Sequence, residues 1–207
     1  MTGGTNNYQY STNPMATTDP LGLQATGGGT VGIGIDANTP SAFSGGVLNL
    51  SKDTGHTFAY VKDAAGNTQC VYSVGSQTGG VQSPTKFFLL GEPRKTNWSI
   101  GETSRASEWS LNADQLKAYA QLCAREKATK VTYSPGSQCT SEAIKLAKEC
   151  GAPVPDGVSP VKASDDGWSM KYPNPYKLNE QLGATSPGAT APVGTFDPNT
   201  TVPVTKK

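Results

Sequence analysis

Glycine and proline interrupt this chain so often that they limit the length of any helix or strand it can form. The 207 residues include 24 glycines and 15 prolines, and both residue types disfavour the interior of helices and strands. Only 35% of the residues are hydrophobic, whereas an average globular chain has roughly 45–50% on a count that includes glycine. We therefore expect one domain of ordinary size with a modest core, many loops and some chain left over for tails.

The charge and residue composition disfavour several classes of function. The formal net charge is +1 and 16% of the residues are charged, so the chain lacks the basic surface typical of nucleic-acid-binding proteins. No apolar run approaches the roughly 20 residues that span a bilayer, and the first residues have no signal-peptide pattern, so no stable membrane insertion is expected. With one histidine and no Cys-x-x-Cys pair, neither a zinc site nor a cofactor is expected.

Biased segments at both ends set off a central region that carries the fold. Residues 1–30 contain paired glycines and asparagines with Asn-Pro and Asp-Pro turns, a composition typical of loops. Residues 183–207 contain four prolines and six threonines with almost nothing apolar. This tail is therefore expected to be disordered or to lie extended on the domain. The fold is expected within about 31–182.

Strand signals come first in the central region and helix signals come later. Helices are expected at 113–127, with Asn112 as the N-cap, and at 139–150, because apolar residues recur there with helical spacing. Because strands and helices are segregated, the fold class is predicted as α+β, with a small antiparallel sheet packed against two or more helices. A hairpin turn is expected at 63–67, and the expected strands are 31–35, 47–50, 56–61, 69–74 and 87–90.

A dense motif near the N-terminus carries the first resemblance to a known family. The sequence runs Gly3-Gly4-x-Asn6-x-Tyr8-x-Tyr10-x-x-Asn13-Pro14 and then Asp19-Pro20-Leu21-Gly22-Leu23. This pattern resembles the end of the conserved core of Rhs/YD-repeat polymorphic toxins, in which a variable toxin domain follows. The resemblance implies cleavage of the longer parent between Leu23 and Gln24, with Asp19 in the protease. The first of the family's two Asp-Pro-x-Gly motifs would lie upstream of Met1, so this chain is not expected to cleave itself.

The same resemblance implies a biological setting and a division of the chain. A toxin of this family is a type VI secretion effector in competition between bacteria, with a cognate immunity protein in the producer. It is secreted and delivered into a target cell, and the periplasm is favoured here over the cytoplasm. We assign 1–23 to the end of the Rhs core, 24–44 to a linker, 45–182 to the toxin domain and 183–207 to the tail.

One cysteine and the single histidine stand where cysteine-nucleophile chemistry needs them. His56 follows Gly55 and opens a predicted strand, and Cys139 opens a predicted helix. The positive end of a helix and an adjacent imidazolium both lower the pKa of a thiol. Because a Cys–His pair generates a thiolate nucleophile in this way, Cys139 and His56 are the predicted catalytic residues, with a lowered thiol pKa.

The order of strand histidine before helix cysteine carries a second resemblance. The segments Gly55-His56-Thr57-Phe58 and Gln138-Cys139-Thr140-Ser141-Glu142-Ala143 are similar to those of permuted papain-like hydrolases related to the NlpC-type peptidases. This resemblance covers about 45–182 and implies a cysteine peptidase or amidase that acts on peptidoglycan peptides. A thiol-dependent acyltransferase or lipase, and a non-catalytic binding or pore-forming toxin, remain open alternatives.

The remaining site residues stay open at the level of sequence. A third group that orients the imidazole is expected on the strand after His56, where Gln69, Tyr72 and Ser73 are within range. A one-residue slip in the hairpin exchanges Tyr72 for Ser73, so the choice depends on the register. The backbone N–H of Cys139 is expected to be one oxyanion donor. The other cysteines are assigned to the core, with a disulfide between Cys123 and Cys150 as an option and the same core assignment for Cys70.

Overall fold

The computed structural model describes the central region and leaves both ends outside it. The Rhs-like leader at 1–23, its predicted boundary residues Asp19, Leu23 and Gln24, and the tail beyond 185 lie outside the described residues. The described residues are 28–37, 43–44, 47–49, 55–77, 84–97, 105–129, 132–162 and 169–185.

Within these ranges the chain forms short strands, mostly early, and four helices. The helices are α1 (Pro84–Leu89), α2 (Ala113–Ala128), α3 (Cys139–Glu149) and α4 (Pro175–Thr185). The strands are β1 (Gly29–Asp36), β2 (Phe43–Ser44), β3 (Val47–Asn49), β4 (His56–Asp63), β5 (Thr68–Ser73), β6 (Gly75–Ser76), β7 (Arg94–Lys95), β8 (Arg105–Leu111), β9 (Val158–Lys162) and β10 (Ser169–Pro173).

The strands form two four-stranded sheets and one two-stranded ribbon. The main sheet has the order β5-β4-β1-β8 and is antiparallel throughout. The second sheet has the order β10-β9-β3-β2, in which only β3 and β9 run parallel. The ribbon pairs β6 with β7. Together with the four helices, this arrangement confirms the α+β class predicted from sequence.

Strand β1 is an inner strand of the main sheet, and its alternating residues suit the two covered faces of that sheet. Its valine and isoleucines at 31, 33 and 35 are fully buried, whereas glycines alternate with them. A Cβ added at Gly32 would lie 2.2 Å from Cζ of Tyr60, so the glycine allows the tyrosine ring to cover the strand. Strand β1, which lies within the segment 24–44 assigned to a linker, is part of the main sheet.

Helices α2, α3 and α4 contribute to one core against the main sheet. Asn112 caps α2 as predicted, since its side chain accepts the Gln115 N–H at 2.9 Å. Helix α3 ends before Gly151, whose positive φ of 81° suits the predicted glycine stop. The core includes Ile33, Ala59, Val61, Tyr72, Cys123, Ala143, Leu146, Ala147, Leu178 and Leu182.

One expectation from sequence is wrong in this part of the molecule. The segment 87–90, predicted as a strand, belongs to helix α1 and the turn after it. Pro84 stands at the first helical position, which proline favours, and the side chains of Leu89 and Leu90 are exposed while that of Phe87 is buried. The run of apolar residues is therefore not a buried strand.

The disulfide joins a different pair of cysteines from the one considered in the sequence. Cys70 of β5 is bonded to Cys123 of α2, with their Cα atoms 6.2 Å apart, while Cys150 is a free, buried thiol. The reason is the hairpin register, which pairs Cys70 with Val61. This register directs the side chain of Cys70 toward the helix layer, where α2 presents Cys123.

Candidate active site around Cys139

The start of α3 fixes the position of Cys139 through the preceding glutamine. Oε1 of Gln138 accepts the Thr140 N–H at 2.8 Å and thus caps the helix, while its Nε2 donates to the Pro173 carbonyl at 2.6 Å. The Gln138 N–H in turn donates to Oγ of Ser141 at 2.9 Å. Cys139 is consequently held as the first residue of a helix, as predicted from sequence.

The thiol of Cys139 is enclosed by hydrogen-bonding groups, and the residue as a whole is only 6% exposed. Its Sγ lies 3.3 Å from Oε1 of Gln138 and 3.7 Å from Oγ1 of Thr140. The backbone N–H of Thr57 and the hydroxyl of Tyr133 also donate to the sulfur. Cys139 is therefore a free thiol in a polar but enclosed setting.

Burial controls the ionisation of this thiol. Desolvation raises the pKa of Cys139, and the hydrogen bonds from Thr57, Thr140 and Tyr133 offset that rise only in part. The expected lowered pKa is thus wrong for this arrangement, because an enclosed thiolate loses more hydration than the helix end and its donors replace. The thiol is neutral at pH 7.

His56 lies at the first residue of β4 and is held by one strand neighbour. Its Nε2 is 2.8 Å from Oγ of Ser73 on β5. Burial lowers the pKa of His56 to about 4, so the imidazole is neutral at pH 7 and able to accept a proton. Asp36 of β1, which is buried, lies opposite His56 in the β1–β4 register.

The hairpin register decides among the three candidates for the third group. Ser73 pairs with Phe58, which places it on the same sheet face as His56. Tyr72 faces α3 instead, where its hydroxyl donates to Oε2 of Glu142 at 2.6 Å. Gln69 donates to Oδ2 of Asp63 at 2.9 Å in the hairpin turn. Ser73 is thus the only one of the three that contacts the imidazole.

Thr57 connects the two predicted catalytic residues. Its backbone N–H reaches the sulfur of Cys139, and its Oγ1 lies 3.2 Å from Oγ1 of Thr140. His56 is the preceding residue, but neighbouring side chains of a strand leave it on opposite faces. Among the described residues no hydrogen bond joins Cys139 to His56. The structure therefore brings the two together through the backbone, with their side chains not in contact.

Tyr133 is a site residue that sequence reasoning missed. Its hydroxyl lies against the Cys139 thiol and accepts the backbone N–H of Cys139. Burial raises the pKa of Tyr133 well above its ordinary value, so the hydroxyl keeps its proton. No motif in the sequence marked this position, although it lies only six residues before the cysteine.

Aromatic rings continue from Tyr133 along one side of the thiol. The ring of Phe87 is 5.5 Å from that of Tyr133 and 6.0 Å from that of Tyr172, centroid to centroid. The ring of Phe88 lies 6.1 Å from that of Tyr172. We call these four residues the aromatic wall, and their rings pack together next to the site.

A buried arginine lies behind the site. Arg94 of β7 donates from its NH2 to the Tyr72 hydroxyl at 2.9 Å and from its NH1 to Oγ of Ser137 at 2.9 Å. NH1 is also 3.6 Å from Oε2 of Glu142 on α3. Burial and the neighbouring Glu142 raise the pKa of Tyr72 above its ordinary value. This cluster holds α3, β5 and the turn before Cys139 together.

Other kinds of site find less support in the described residues. Nowhere in these ranges do three or more histidine, cysteine or acidic side chains gather closely enough to hold a metal ion. The helices of the described part are all too short or too polar to cross a membrane. No protein-family model matches the chain, and neither a curated protein nor a solved structure matches it.

Proposed function

We propose that this chain is the toxin-bearing end of an Rhs-type effector and that its folded domain is a cysteine hydrolase. Cys139 is the nucleophile and His56 the general base. One observation carries the proposal. The free thiol of Cys139, at a helix N-terminus, accepts the backbone N–H of Thr57, and the residue before Thr57 is His56, whose Nε2 contacts Ser73. Cys–His catalysis needs the thiol and the imidazole within hydrogen-bond reach, and Thr57 links the positions of these two residues at the start of β4.

The proton transfer follows from the protonation states of the resting site. The thiol and the imidazole are both neutral at pH 7. Because Nε2 of His56 contacts Ser73, we assign the uptake of the thiol proton to Nδ1, after the imidazole, which lies on the opposite face of β4 in the resting site, turns toward Cys139. The sulfur then bonds to the substrate carbonyl carbon. The imidazolium returns the proton to the leaving group as the carbon–nitrogen or carbon–oxygen bond breaks, and water hydrolyses the thioester.

Two donors converge where the oxyanion would form. The backbone N–H of Cys139 and the hydroxyl of Tyr133 meet beside the sulfur. In the resting site the Tyr133 hydroxyl accepts the Cys139 N–H. A substrate carbonyl oxygen placed between these two groups would accept a hydrogen bond from each. Because Tyr133 keeps its proton at neutral pH, it remains a donor throughout the reaction.

The disulfide favours an oxidising compartment as the place where the domain acts. Disulfides persist in the bacterial periplasm and are reduced in the cytosol, and the bond between Cys70 and Cys123 ties β5, the strand of Ser73, to α2. Periplasmic delivery places the domain next to peptidoglycan, whose peptide bonds are the proposed substrate. The cognate immunity protein and the secretion apparatus belong to the same proposal.

The aromatic wall favours a second candidate reaction on the same residues. Phe87, Tyr133 and Tyr172 form an apolar side close to the sulfur. Apolar surroundings of this kind suit a fatty acyl chain as well as an apolar amino acid side chain. Acyl transfer or lipid hydrolysis by Cys139 is therefore the alternative.

Toxicity and peptidoglycan digestion test the proposal together. The wild type, Cys139→Ala and Cys150→Ala are each expressed in the cytoplasm and in the periplasm, and the purified proteins are incubated with peptidoglycan sacculi. Cys150 is the matched control because it is the other free, buried thiol and lies at the far end of the same helix. We expect periplasmic killing and peptide release by the wild type and Cys150→Ala, and neither by Cys139→Ala.

Two other outcomes would redirect or end the proposal. Killing from the cytoplasm without digestion of sacculi favours a protein or acyl-lipid substrate. Full toxicity of the Cys139→Ala protein contradicts the hydrolase proposal and leaves a binding or pore-forming toxin.

A further inference from the structure

Arg94 contacts both halves of the candidate site from behind. Its side chain is 2% exposed. Its two terminal nitrogens reach Ser137 in the turn before α3 and Tyr72 on β5, each at 2.9 Å. Ser137 stands two residues before Cys139, and Tyr72 directly precedes Ser73, the partner of the imidazole. One guanidinium thus joins the segment that carries the nucleophile to the strand that orients the base.

The geometry of the guanidinium suits this connection. An arginine side chain presents its N–H groups in a planar, rigid fork, whereas a lysine ammonium is a point charge on a flexible stem. Two groups bound by one fork are held at a fixed separation. The carboxylate of Glu142, 3.6 Å from NH1, balances the charge.

Stability alone is a weak explanation for this cluster. Removing two charges from water offsets most of the attraction between them, so a buried ion pair contributes little compared with apolar residues of the same size. Nε of Arg94 is buried and has no hydrogen-bond partner among the described residues. The position of the guanidinium therefore satisfies its contacts with Ser137 and Tyr72, although it leaves one buried N–H group without a hydrogen bond.

We infer that Arg94 is a positioning residue, which fixes the turn before Cys139 relative to β5, the strand whose Ser73 holds the imidazole of His56. This inference rests on the proposed function and adds a residue to it. Arg94 acts through Ser137 and Tyr72 and does not touch the reacting atoms. A displacement of about 1 Å in such a site can lower the rate about a hundredfold.

The test separates positioning from the folding cost of an unpaired charge. Arg94→Met leaves Glu142 as a lone buried charge and is expected to lower the melting temperature. The double variant Arg94→Met/Glu142→Gln removes both charges, and Gln still accepts the Tyr72 hydroxyl, so its melting temperature is expected to recover. Arg94→Lys keeps the charge but not the fork. Arg105→Met is the matched control, because Arg105 donates to Asn179 of α4 and, among the described residues, to neither Ser137 nor Tyr72.

The readout is the rate at which iodoacetamide alkylates Cys139 between pH 5 and pH 9, measured by peptide mass spectrometry in the full chain. Cys150 is the internal reference, and each variant is compared with its His56→Ala derivative. In the wild type and Arg105→Met, His56→Ala should slow the alkylation of Cys139 below pH 8. In the folded double variant and Arg94→Lys, this dependence on His56 should fall by at least about tenfold.

The outcomes distinguish the two proposals. A wild-type dependence on His56 in either folded Arg94 variant overturns the positioning role and leaves the hydrolase proposal intact. If the wild type itself shows no dependence on His56, and Cys139 reacts no faster than Cys150, the proposed function fails and the role of Arg94 fails with it.

Discussion

Opening the Cys70–Cys123 disulfide should remove a large part of the stability of this domain. The two cysteines are separated by 53 positions in the chain. For a loop of that length, the chain-entropy relation gives a loss of about 14 cal/mol/K in the unfolded state, which is about 4 kcal/mol at 25 °C. Domains of this kind have total unfolding free energies of about 5–15 kcal/mol. The reduced domain is therefore expected to be only marginally stable.

Urea unfolding measures this contribution directly. We expect the wild type, reduced with dithiothreitol, to lose about 4 kcal/mol of unfolding free energy. Its m-value should rise, since an unfolded chain without the cross-link exposes more surface. The double variant Cys70→Ala/Cys123→Ala should behave similarly, with a further loss because Cys123 is fully buried. Cys150→Ala keeps the disulfide and should lose about as much free energy on reduction as the wild type, whereas the stability of the double variant should not respond to dithiothreitol.

A small effect would refute this reasoning. If reduction changes the unfolding free energy by less than about 1 kcal/mol, the bond either does not form or does not constrain the unfolded chain as its loop length requires. Mass spectrometry of the alkylated, unreduced protein separates these two cases. Two alkylated cysteines indicate an intact disulfide, and four indicate that none is present.

Three further predictions concern the histidine, the oxyanion donor and the boundary. Because burial lowers the pKa of His56 to about 4, the folded state binds fewer protons than the unfolded state between pH 4 and 6.5, and stability is lost as the pH falls through that window. Urea unfolding at several pH values should show that His56→Gln lessens this loss of unfolding free energy by at most about 3 kcal/mol. Tyr133→Phe keeps the ring but removes a donor, so peptide release from sacculi should slow about a hundredfold with the fold unchanged, and an unchanged rate would exclude the hydroxyl from the reaction. In the longer parent, the intact mass of the released toxin should correspond to a start at Gln24, and any other first residue would contradict cleavage after Leu23.

Local patterns in the sequence predicted much of the secondary structure. The cap at Asn112, the start of α3 at Cys139 and the hairpin turn at 63–67 depend on neighbours within a few residues, and all three are present. The turn closes as its residues predict, since Oδ1 of Asp63 accepts the N–H of Asn67 at 2.8 Å. These features need no knowledge of the rest of the fold.

Features that depend on distant residues could not be predicted in the same way. The choice of Ser73 over Tyr72 required the hairpin register, and the pairing of Cys70 with Cys123 required the packing of α2 on β5. Arg94 and Tyr133 belong to the site only because the fold brings them to α3. No short motif contains that information.

The rise in the pKa of Cys139 has the same origin. From sequence, the helix end and the imidazole both favour a thiolate. The structure adds enclosure by Gln138, Thr140 and Tyr133, and the desolvation that accompanies it outweighs the hydrogen bonds that favour the thiolate, while the imidazole is neutral and not in contact with the sulfur. The degree of burial of a side chain is a property of the whole fold, so the direction of this shift could not be obtained from the residues near the cysteine.

The alkylation rates of Cys139 and Cys150 at pH 7, with and without His56, test the central claim most directly. Both thiols are buried, and burial raises the pKa of Cys150 to about 12 with no hydrogen-bond donor to offset it, whereas Thr57, Thr140 and Tyr133 donate to Cys139. We predict that iodoacetamide modifies Cys139 at least about tenfold faster than Cys150, because only Cys139 has groups that stabilise its thiolate. His56→Ala should remove most of that advantage. Equal rates for the two thiols, or a rate at Cys139 that His56→Ala leaves unchanged, would contradict the assignment of Cys139 and His56 as a catalytic pair.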